Sequence, residues 1–462
     1  MEIKEIINSS SANDTINALK EKSVVVPDWG KLSKEYDVEN HEIMDTRKYL
    51  DKVTPMGGIE KISRVTLGME RLAVKRMTGL AFGIPVQRVY TPNGEQEKKV
   101  AKIMEDIFQR NRIDSLNITR SNLLYASCEV ATIWYLQEQP TQYAGEATKL
   151  KARARVYSPM KGDRLYPLFD EYDDMVALSV EYKRVIGDKT ITYFDTYTND
   201  MHIRWQRENS EYQEVLREKI TLLKIPGVYV YRPTPIWENQ SRNREEIEMK
   251  MSKQGNYIDK NSKPNWVIYS NNEVIVGTEE NSAPMSARNV LQYGKDDRAE
   301  YATWDGANDA TKNYVDFLEK HFFMELQLPD FSFENMKTVQ MSGEARKMMF
   351  IDAQIKVLEE SGIWLEAFSR EINVIKALMK AMYPTLATAI ENLKVESKIT
   401  PYQISDEAEH IQILTNATGG KAIMSQKTAI EQAGYTDDAE RELAQIQAES
   451  DTMDLFTQEP TE

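Results

Sequence analysis

Five aspartates, Asp170, Asp173, Asp174, Asp195 and Asp200, could together hold two divalent cations in the manner of a nuclease. The plainer reading is that carboxylates gather at β turns because Asp favours turns. Four histidines, His41, His202, His321 and His410, are scattered, and none has a second His or Cys nearby. His41 and His321 each have a carboxylate four residues on, Asp45 and Glu325. Two ligands make no zinc site, so a surface ion pair or hydrogen bond is expected at each. Gly419-Gly420-Lys421 matches part of a phosphate loop, but Thr415 stands where the first glycine belongs and Ala422 where the Mg²⁺-binding hydroxyl belongs. A turn between helices explains it better. Arg153, Arg155, Arg164, Lys183 and Arg184 form a basic cluster on predicted strands, and a solvated sheet face accounts for it more simply than a phosphate track. The single cysteine, Cys128, lies in the apolar stretch 123–136. It reads as a buried structural thiol, excludes an internal disulfide and fits a reducing compartment. No catalytic residue, metal or cofactor is implied.

The positioning elements come from a chain of 462 residues, long enough for two or three domains. Hydrophobic residues at 41% and charged residues at 28% describe a soluble globular protein. A net charge of −15 argues against a protein that grips nucleic acid over its whole surface, because phosphate binding needs clustered Lys and Arg. Residues 385–462 hold 5 Lys plus Arg against 15 Asp plus Glu, which marks an acidic C-terminal region. The charged start Met1-Glu2-Ile3-Lys4-Glu5 is unlike a signal peptide. No apolar run approaches the roughly 20 residues of a spanning helix. An intracellular product or a virion component is expected, with no membrane partner.

Hydrophobic spacing divides the chain into helical and β-rich stretches. Residues 1–44 read as a poorly ordered arm. Helices are expected over 57–82, 94–110 and 115–126, followed by a strand at 130–136. Residues 150–232 read as a β meander with strands at 153–159, 176–182, 190–197 and 202–206, turning at Gly187-Asp188 and at 198–200. A charged helix covers 239–251, and its narrow apolar face calls for a second helix or a neighbouring subunit. Then comes a hairpin at 265–277 turning at Asn271-Asn272, with a second strand pair at 289–293 and 299–304. The next helix, 308–325, carries Ala310, Tyr314, Phe317, Leu318, His321 and Phe322 on one stripe. An acidic, aromatic loop (328–341) leads into a helical run over 343–382, about 60 Å long if unbroken. Gly362 is its expected kink point and Pro384 ends it. Short helices follow at 406–416, at 425–433 closed by Gly434, and from Asp437 with Glu440 as a capping box. The tail beyond 451 is expected to be disordered. The fold class is α+β, mainly α.

Four segments in this order resemble the portal proteins of long-tailed double-stranded DNA phages. Residues 308–323 lead into Asp330-Phe331 and then Ser342-Gly343-Glu344-Ala345-Arg346, similar to a stem helix, a tunnel loop and the start of a long kinked helix. Ile225-Pro226 with Pro233-Thr234-Pro235-Ile236 resembles the proline-containing lead into the first stem helix. The helical segment Met424-Ser425-Gln426-Lys427-Thr428-Ala429-Ile430-Glu431 and the acidic helix after it are similar to the end of such chains. Leu72-Ala73-Val74-Lys75-Arg76-Met77-Thr78-Gly79 resembles the helix near the start of the wing. Here the first stem helix is short, ending near Gly255, and the clip is unusually strand-like.

The resemblance implies a portal fold with wing, stem, clip and crown, assembled as a dodecameric ring with a DNA channel. An arm (1–44) would precede the wing (45–235). Stem helices (236–262 and 305–327) would flank the clip (263–304). The tunnel loop (328–341), long wing helix (342–384), crown (385–450) and tail (451–462) would follow. Asp330, Phe331, Ser332, Phe333, Glu334, Asn335, Met336 and Lys337 would face DNA; Lys312, Asp316, Glu319 and Lys320 would line the channel. Trp266, Tyr269, Tyr293 and Arg298 would form the clip's docking surface. The implied partners are further copies of the chain, DNA bound without sequence preference, the terminase large subunit, a head-completion or adaptor protein, and the major capsid and scaffolding proteins. The implied location is the capsid vertex of the virion, and the host cytoplasm during assembly. Another ring-forming head–tail adaptor, or a metal-dependent nuclease, is the alternative.

Overall fold

The computed structural model describes residues 3–8, 11–21, 24–53, 57–208, 211–261, 265–269, 298–302, 308–328, 350–402, 407–419, 421–436 and 438–457. Three helices open the chain: α1 (Ile3–Ile7), α2 (Ala12–Leu19) and α3 (Trp29–Tyr36). Ser11 caps α2 by accepting from Asp14 N at 3.3 Å. The segment expected to be a poorly ordered arm therefore contains packed helices. Ile6, Ile7, Ile16 and Leu19 are buried in one stripe, and Leu32, Tyr36 and Ile43 are buried further on.

A ribbon follows, β1 (Lys52–Val53) against β2 (Ile59–Glu60), and then an extended strap over residues 61–68. The expected helix at 57–82 is shorter than its apolar pattern. It begins only at Met69, as α4 (Met69–Phe82). After β3 (Gln87–Thr91) come α5 (Glu95–Arg110) and α6 (Ile113–Ser127). α5 sits where its spacing places it, with Val100, Ile103, Met104 and Ile107 fully buried.

The β block is larger than the sequence pattern suggests. β4 (Glu129–Tyr143) and β5 (Glu146–Tyr157) form a long hairpin. Its turn needs two left-handed residues, Ala144 at φ 46° and Gly145 at φ 88°. β6 (Arg164–Phe169), β7 (Met175–Ile186), β8 (Lys189–Tyr197), β9 (Met201–Arg207) and β10 (Gln213–Lys219) make a five-stranded antiparallel meander. β11 (Gly227–Tyr231) returns to pair with β4, completing a three-stranded sheet. The two sheets pack face to face, with Ala131, Ile133 and Tyr157 of one meeting Leu178, Val180 and Tyr182 of the other. Gly227 permits that approach, since a Cβ there would lie 2.6 Å from Leu178 Cδ2.

Next come α7 (Ser241–Asn261), β12 (Asn265–Tyr269), β13 (Arg298–Ala302) and α8 (Asn308–Glu325). α7 runs past the expected end near Gly255. β12 pairs with β13, and the turn expected at Asn271-Asn272 lies outside the described residues. Alternation alone identifies a strand but not its partner. The long helix α9 (Ile351–Met382) is α-helical without interruption through Gly362. After α10 (Ala387–Asn392), β14 (Lys394–Lys398) pairs with β3, tying residues near 400 back to the first helices.

The chain closes with α11 (Glu407–Thr418), α12 (Gln426–Ala433) and α13 (Ala439–Thr457). Ser425 caps α12, and Gly434 ends it at φ 71°. Asp438 caps α13, its Oδ1 accepting from Arg441 N; Asp437, the expected start, lies outside the described residues. The helix reaches Thr457, into the tail expected to be disordered.

The core is thus layered. α4, α5, α6 and α9 cover the outer face of the three-stranded sheet. The five-stranded sheet follows, and α1 and α2 cover its far face through Ile6, Ile16 and Leu19 against Phe194 and Trp205. Among the described residues no helix is long and apolar enough to cross a membrane.

Candidate functional site

Two elements leave the layered core as a hairpin of rods, α7 outward and α8 back. The start of α7 meets the end of α8, where Gln240 donates to Glu325, and Lys250 lies 5.6 Å from the ring centre of Tyr314 further along. α7 is dominated by charge and gives the core little beyond Ile247, with Met251 packed against it. Polar contacts hold the rest. Glu248, Ser252 and Asn256, four residues apart, accept from the backbone of the strap: Leu67 N at 2.7 Å, Val65 N at 2.9 Å and Ser63 N at 2.8 Å. This explains why 61–68 is extended: its N–H groups are satisfied by a neighbouring helix, not by its own carbonyls.

At the root of α7 lies a buried ionic cluster. Arg244 donates to Glu70 of α4 at 2.8 Å and to Glu248 at 2.9 Å. His41 places Nδ1 2.6 Å from Glu248 and Nε2 2.9 Å from the carbonyl oxygen of Glu35. Both ring nitrogens thus face oxygen acceptors inside the cluster. His41 therefore differs from the surface pair expected with Asp45. Burial outweighs Arg244 at Glu70, raising its carboxyl above the ordinary range. At Glu248 burial also acts upward, but His41, the Leu67 amide and Arg244 together bring the carboxyl below it.

α8 is rooted by Phe322, Phe323, Leu326 and the following Leu328, all buried, with the Arg76 guanidinium 4.1 Å from the Phe323 ring centre. His321 pairs with Glu325 at 2.9 Å as expected. The apolar stripe splits, because only part of it faces the core. Leu318 and Phe322 are buried, whereas Tyr314 is 42% and Phe317 59% exposed. Lys312, Asp316, Glu319 and Lys320 are all exposed on α8. Trp266 and Tyr269 lie on β12, and Tyr269 stands opposite Arg298 of β13 in the register. Tyr293 and residues 330–337 lie outside the described residues.

The family model for "Phage portal protein, SPP1 Gp6-like" matches residues 20–454. The chain belongs to this phage portal family. It is a structural protein of the virion, with a portal-vertex function. No curated protein matches it. Among solved structures, the portal chain is similar to a chain in the neck of an empty gene transfer agent particle computed with C6 symmetry. Identity is 10% and the TM-score 0.42, covering 86% of this chain and 94% of that one. A chain of the native gene transfer agent virion gives 9% identity and a TM-score of 0.40, over 94% and 99%. A native neck computed with C12 symmetry gives 10% and 0.40, over 90% and 96%.

The portal chain disperses the other residues that could have done chemistry. Asp195 is buried, and Arg204 grips it from 2.7 and 2.8 Å while the Tyr182 hydroxyl donates at 3.1 Å. Burial acts to raise its carboxyl, but Arg204 and His202 bring it below the ordinary value of 3.8. Asp170 accepts from the backbone of Tyr172 and Asp174, and Asp200 from the Thr198 hydroxyl, which are turn roles. Among the described residues no group of three His, Cys, Asp or Glu side chains could hold a metal ion. Of the basic cluster, Arg155 lies 4.6 and 4.7 Å from the ring centres of the neighbouring Tyr157 and Tyr182, and Arg184 lies 5.4 Å from that of Tyr182. Cys128 is buried at the end of α6, and burial pushes its thiol up to about 12. Lys421 and Gly419 occupy the connection between α11 and α12; Gly420 lies outside the described residues.

Sequence reasoning missed the buried ion pairs altogether. Arg120 donates to both oxygens of Glu371 at 2.8 Å, and Trp134 Nε1 adds a bond at 3.0 Å. Arg232 reaches Glu360 at 2.8 Å. The one available signal was charge inside apolar helices, as at Glu70 and Glu371.

Proposed function

We propose that this portal protein assembles as a dodecameric ring through whose channel double-stranded DNA is packaged and later ejected. α7 and α8 form the stem, the β12–β13 ribbon begins the clip, residues 328–341 form the tunnel loop, and the C-terminal helices belong to the crown. The observation that carries the ring is the α7–α8 hairpin. Its root is locked into the core by buried charges, yet Phe317 of α8 is 59% exposed, as befits a rod whose outer flank is covered by another copy.

Family membership supports the DNA channel, and charge supports sliding. Twelve copies carry about −180 in net charge, a field that discourages tight phosphate binding. Lys312, Asp316, Glu319 and Lys320 of the channel wall mix both signs, which gives DNA no continuous basic track. The tunnel loop then acts as a steric constriction through Phe331 and Phe333. Terminase and the adaptor dock on the clip around Trp266, Tyr269, Tyr293 and Arg298, and capsid and scaffolding proteins surround the ring in the virion and, during assembly, in the host cytoplasm.

Negative-stain images of the purified chain test the ring, with twelvefold particles pierced by a central hole as the expected result. Monomers at all concentrations would overturn it. Phe331→Gly with Phe333→Gly should impair packaging or DNA retention while rings still form; unchanged packaging, or loss of the ring itself, removes the loop's role.

A further inference from the structure

Strand register divides the basic residues that the sequence groups together. Lys183 shares a face with Glu181, and Arg164 with Tyr166, on the side of the five-stranded sheet covered by α1 and α2. Arg153 and Arg155 alternate with Ala152 and Ala154, which pack on the helices, so they share the opposite face of β5 with Lys149 and Lys151. β6 pairs with β7 only as far as Glu181 and β9 with β8 only as far as Thr192, so residues 183–191 form an arm past both. The guanidinium groups of Arg155 and Arg184 lie 4.7 and 5.4 Å from the centre of the same ring, Tyr182. The row on β5 therefore continues onto the arm.

Lys149, Lys151, Arg153, Arg155 and Arg184 thus form one basic surface in a chain whose net charge is −15. Among the described residues none of these five has a carboxylate partner in an ion pair. The acids around them are engaged or set apart. Asp163 accepts from the Ser158 amide at 3.1 Å, Glu208 holds Lys189 of the arm, and Asp188 stands at the arm's turn beyond Arg184. Across the row, β4 presents Ile133, Tyr135 and Gln137, with Tyr135 45% exposed. Like charges held side by side without a counter-charge repel one another, and an anion from outside relieves that repulsion.

We propose that this surface holds the phosphate backbone of double-stranded DNA outside the channel. Alternate residues of a strand are about 6.8 Å apart, so the row from Lys149 to Arg155 spans about 20 Å, along which duplex DNA presents about 12 phosphates. DNA fits the row better than an acidic protein does. Every position on this face from 149 to 155 is a cation, so the row lacks the apolar centre of a protein interface. The exposed Val185 and Ile186 stand beyond Arg184 on the arm. The contact has no sequence preference, because it reaches the backbone and not the bases. It is separate from the channel wall on α8 and so goes beyond the channel reading.

Binding of a covalently closed DNA circle to the full chain tests it, because a closed duplex has no end to thread through a ring. The circle should bind at about 50 mM salt and be released as salt rises, with a log–log slope of about −4.5 per bound copy for five phosphate contacts. Lys149→Glu with Lys151→Glu and Arg153→Glu should weaken binding at least tenfold and bring the slope to about −2, whereas Lys149→Arg with Lys151→Arg should keep it. Arg184→Glu lies on the arm, away from the core, and should remove about one unit of slope without changing the melting temperature. No binding of the circle by the unaltered chain, equal binding by the reversal variants, or binding of linear DNA alone would overturn the proposal. Displacement of the circle by polyglutamate at equal charge would overturn it in favour of an acidic protein. Rings that fail to hold the circle leave the channel reading standing, and monomers that hold it strike the ring alone.

Discussion

The sheet sandwich and the stem hairpin handle their large side chains in opposite ways. In the sandwich the central rings find cover within the chain: Trp134 and Phe194 are fully buried, Trp205 nearly so, and Phe194 meets Trp205 edge-on with ring centres 6.0 Å apart. In the stem the polar groups are the ones satisfied, through Arg244, Glu248 and the strap, while Phe317, Met324, Val53 and Ile59 remain in solvent. The difference separates two tasks. One copy can complete its layered core alone, whereas the α7–α8 hairpin, rooted by buried charge at α7 and by Phe322 and Phe323 at α8, leaves apolar side chains open along its sides.

The largest expected effect lies at the stem's root. Arg244→Ala leaves the buried Glu70 and Glu248 without the guanidinium that both accept from, and should cost about 3–5 kcal/mol in denaturant unfolding. A loss below about 1 kcal/mol would mean that the cluster does not anchor the stem. On the sandwich side, Ile16→Ala empties part of the layer beneath α2. It should cost about 2–4 kcal/mol by the same measurement, and no loss would return residues 3–19 to the status of an unpacked arm.

Acid titration separates Asp195 from Glu70 by sign. The carboxyl of Asp195 in the sandwich is lower in the folded chain than its ordinary 3.8. Its contribution is present above that pH and is lost as the pH falls through the folded value. At the stem root Glu70 is raised above 4.5, so the folded state holds the proton more tightly and stability falls as pH rises through that window. Asp195→Asn should therefore flatten the acid limb of stability against pH, whereas Glu70→Gln should remove a downward slope above it. Identical slopes in the two variants would erase the contrast. The smallest effect on a single copy belongs to Phe317→Asp, whose unfolding free energy should move by no more than about 0.5 kcal/mol while assembly is lost. A strongly destabilised monomer would show that Phe317 is core after all.

Periodicity made part of this fold legible. α5 is where Val100, Ile103, Met104 and Ile107 require it, and the β7–β8 turn falls at Gly187-Asp188 as its residues suggest. The strap was illegible because Ile59, Ile62, Val65 and Leu67 fit a helical stripe about as well as an extended one. What separated the two was the presence of acceptors on α7, 181 to 193 residues away. The stem stripe was half legible for a related reason. Spacing puts Tyr314, Phe317, Leu318 and Phe322 near one another on α8, but it cannot say which edge of that arc the core will cover.

From sequence alone came the class of protein, the order of its segments and the absence of any recognisable catalytic pattern, because these depend on local residue type and spacing. Only the tertiary structure decided which charges are buried. Arg244 meets Glu70 across 174 residues and Arg120 meets Glu371 across 251, and no local pattern encodes a partner so far along the chain. It also decided which apolar residues are left over. A side chain is spare only after the rest of the core has closed, so the surfaces that would join one copy to the next become visible last.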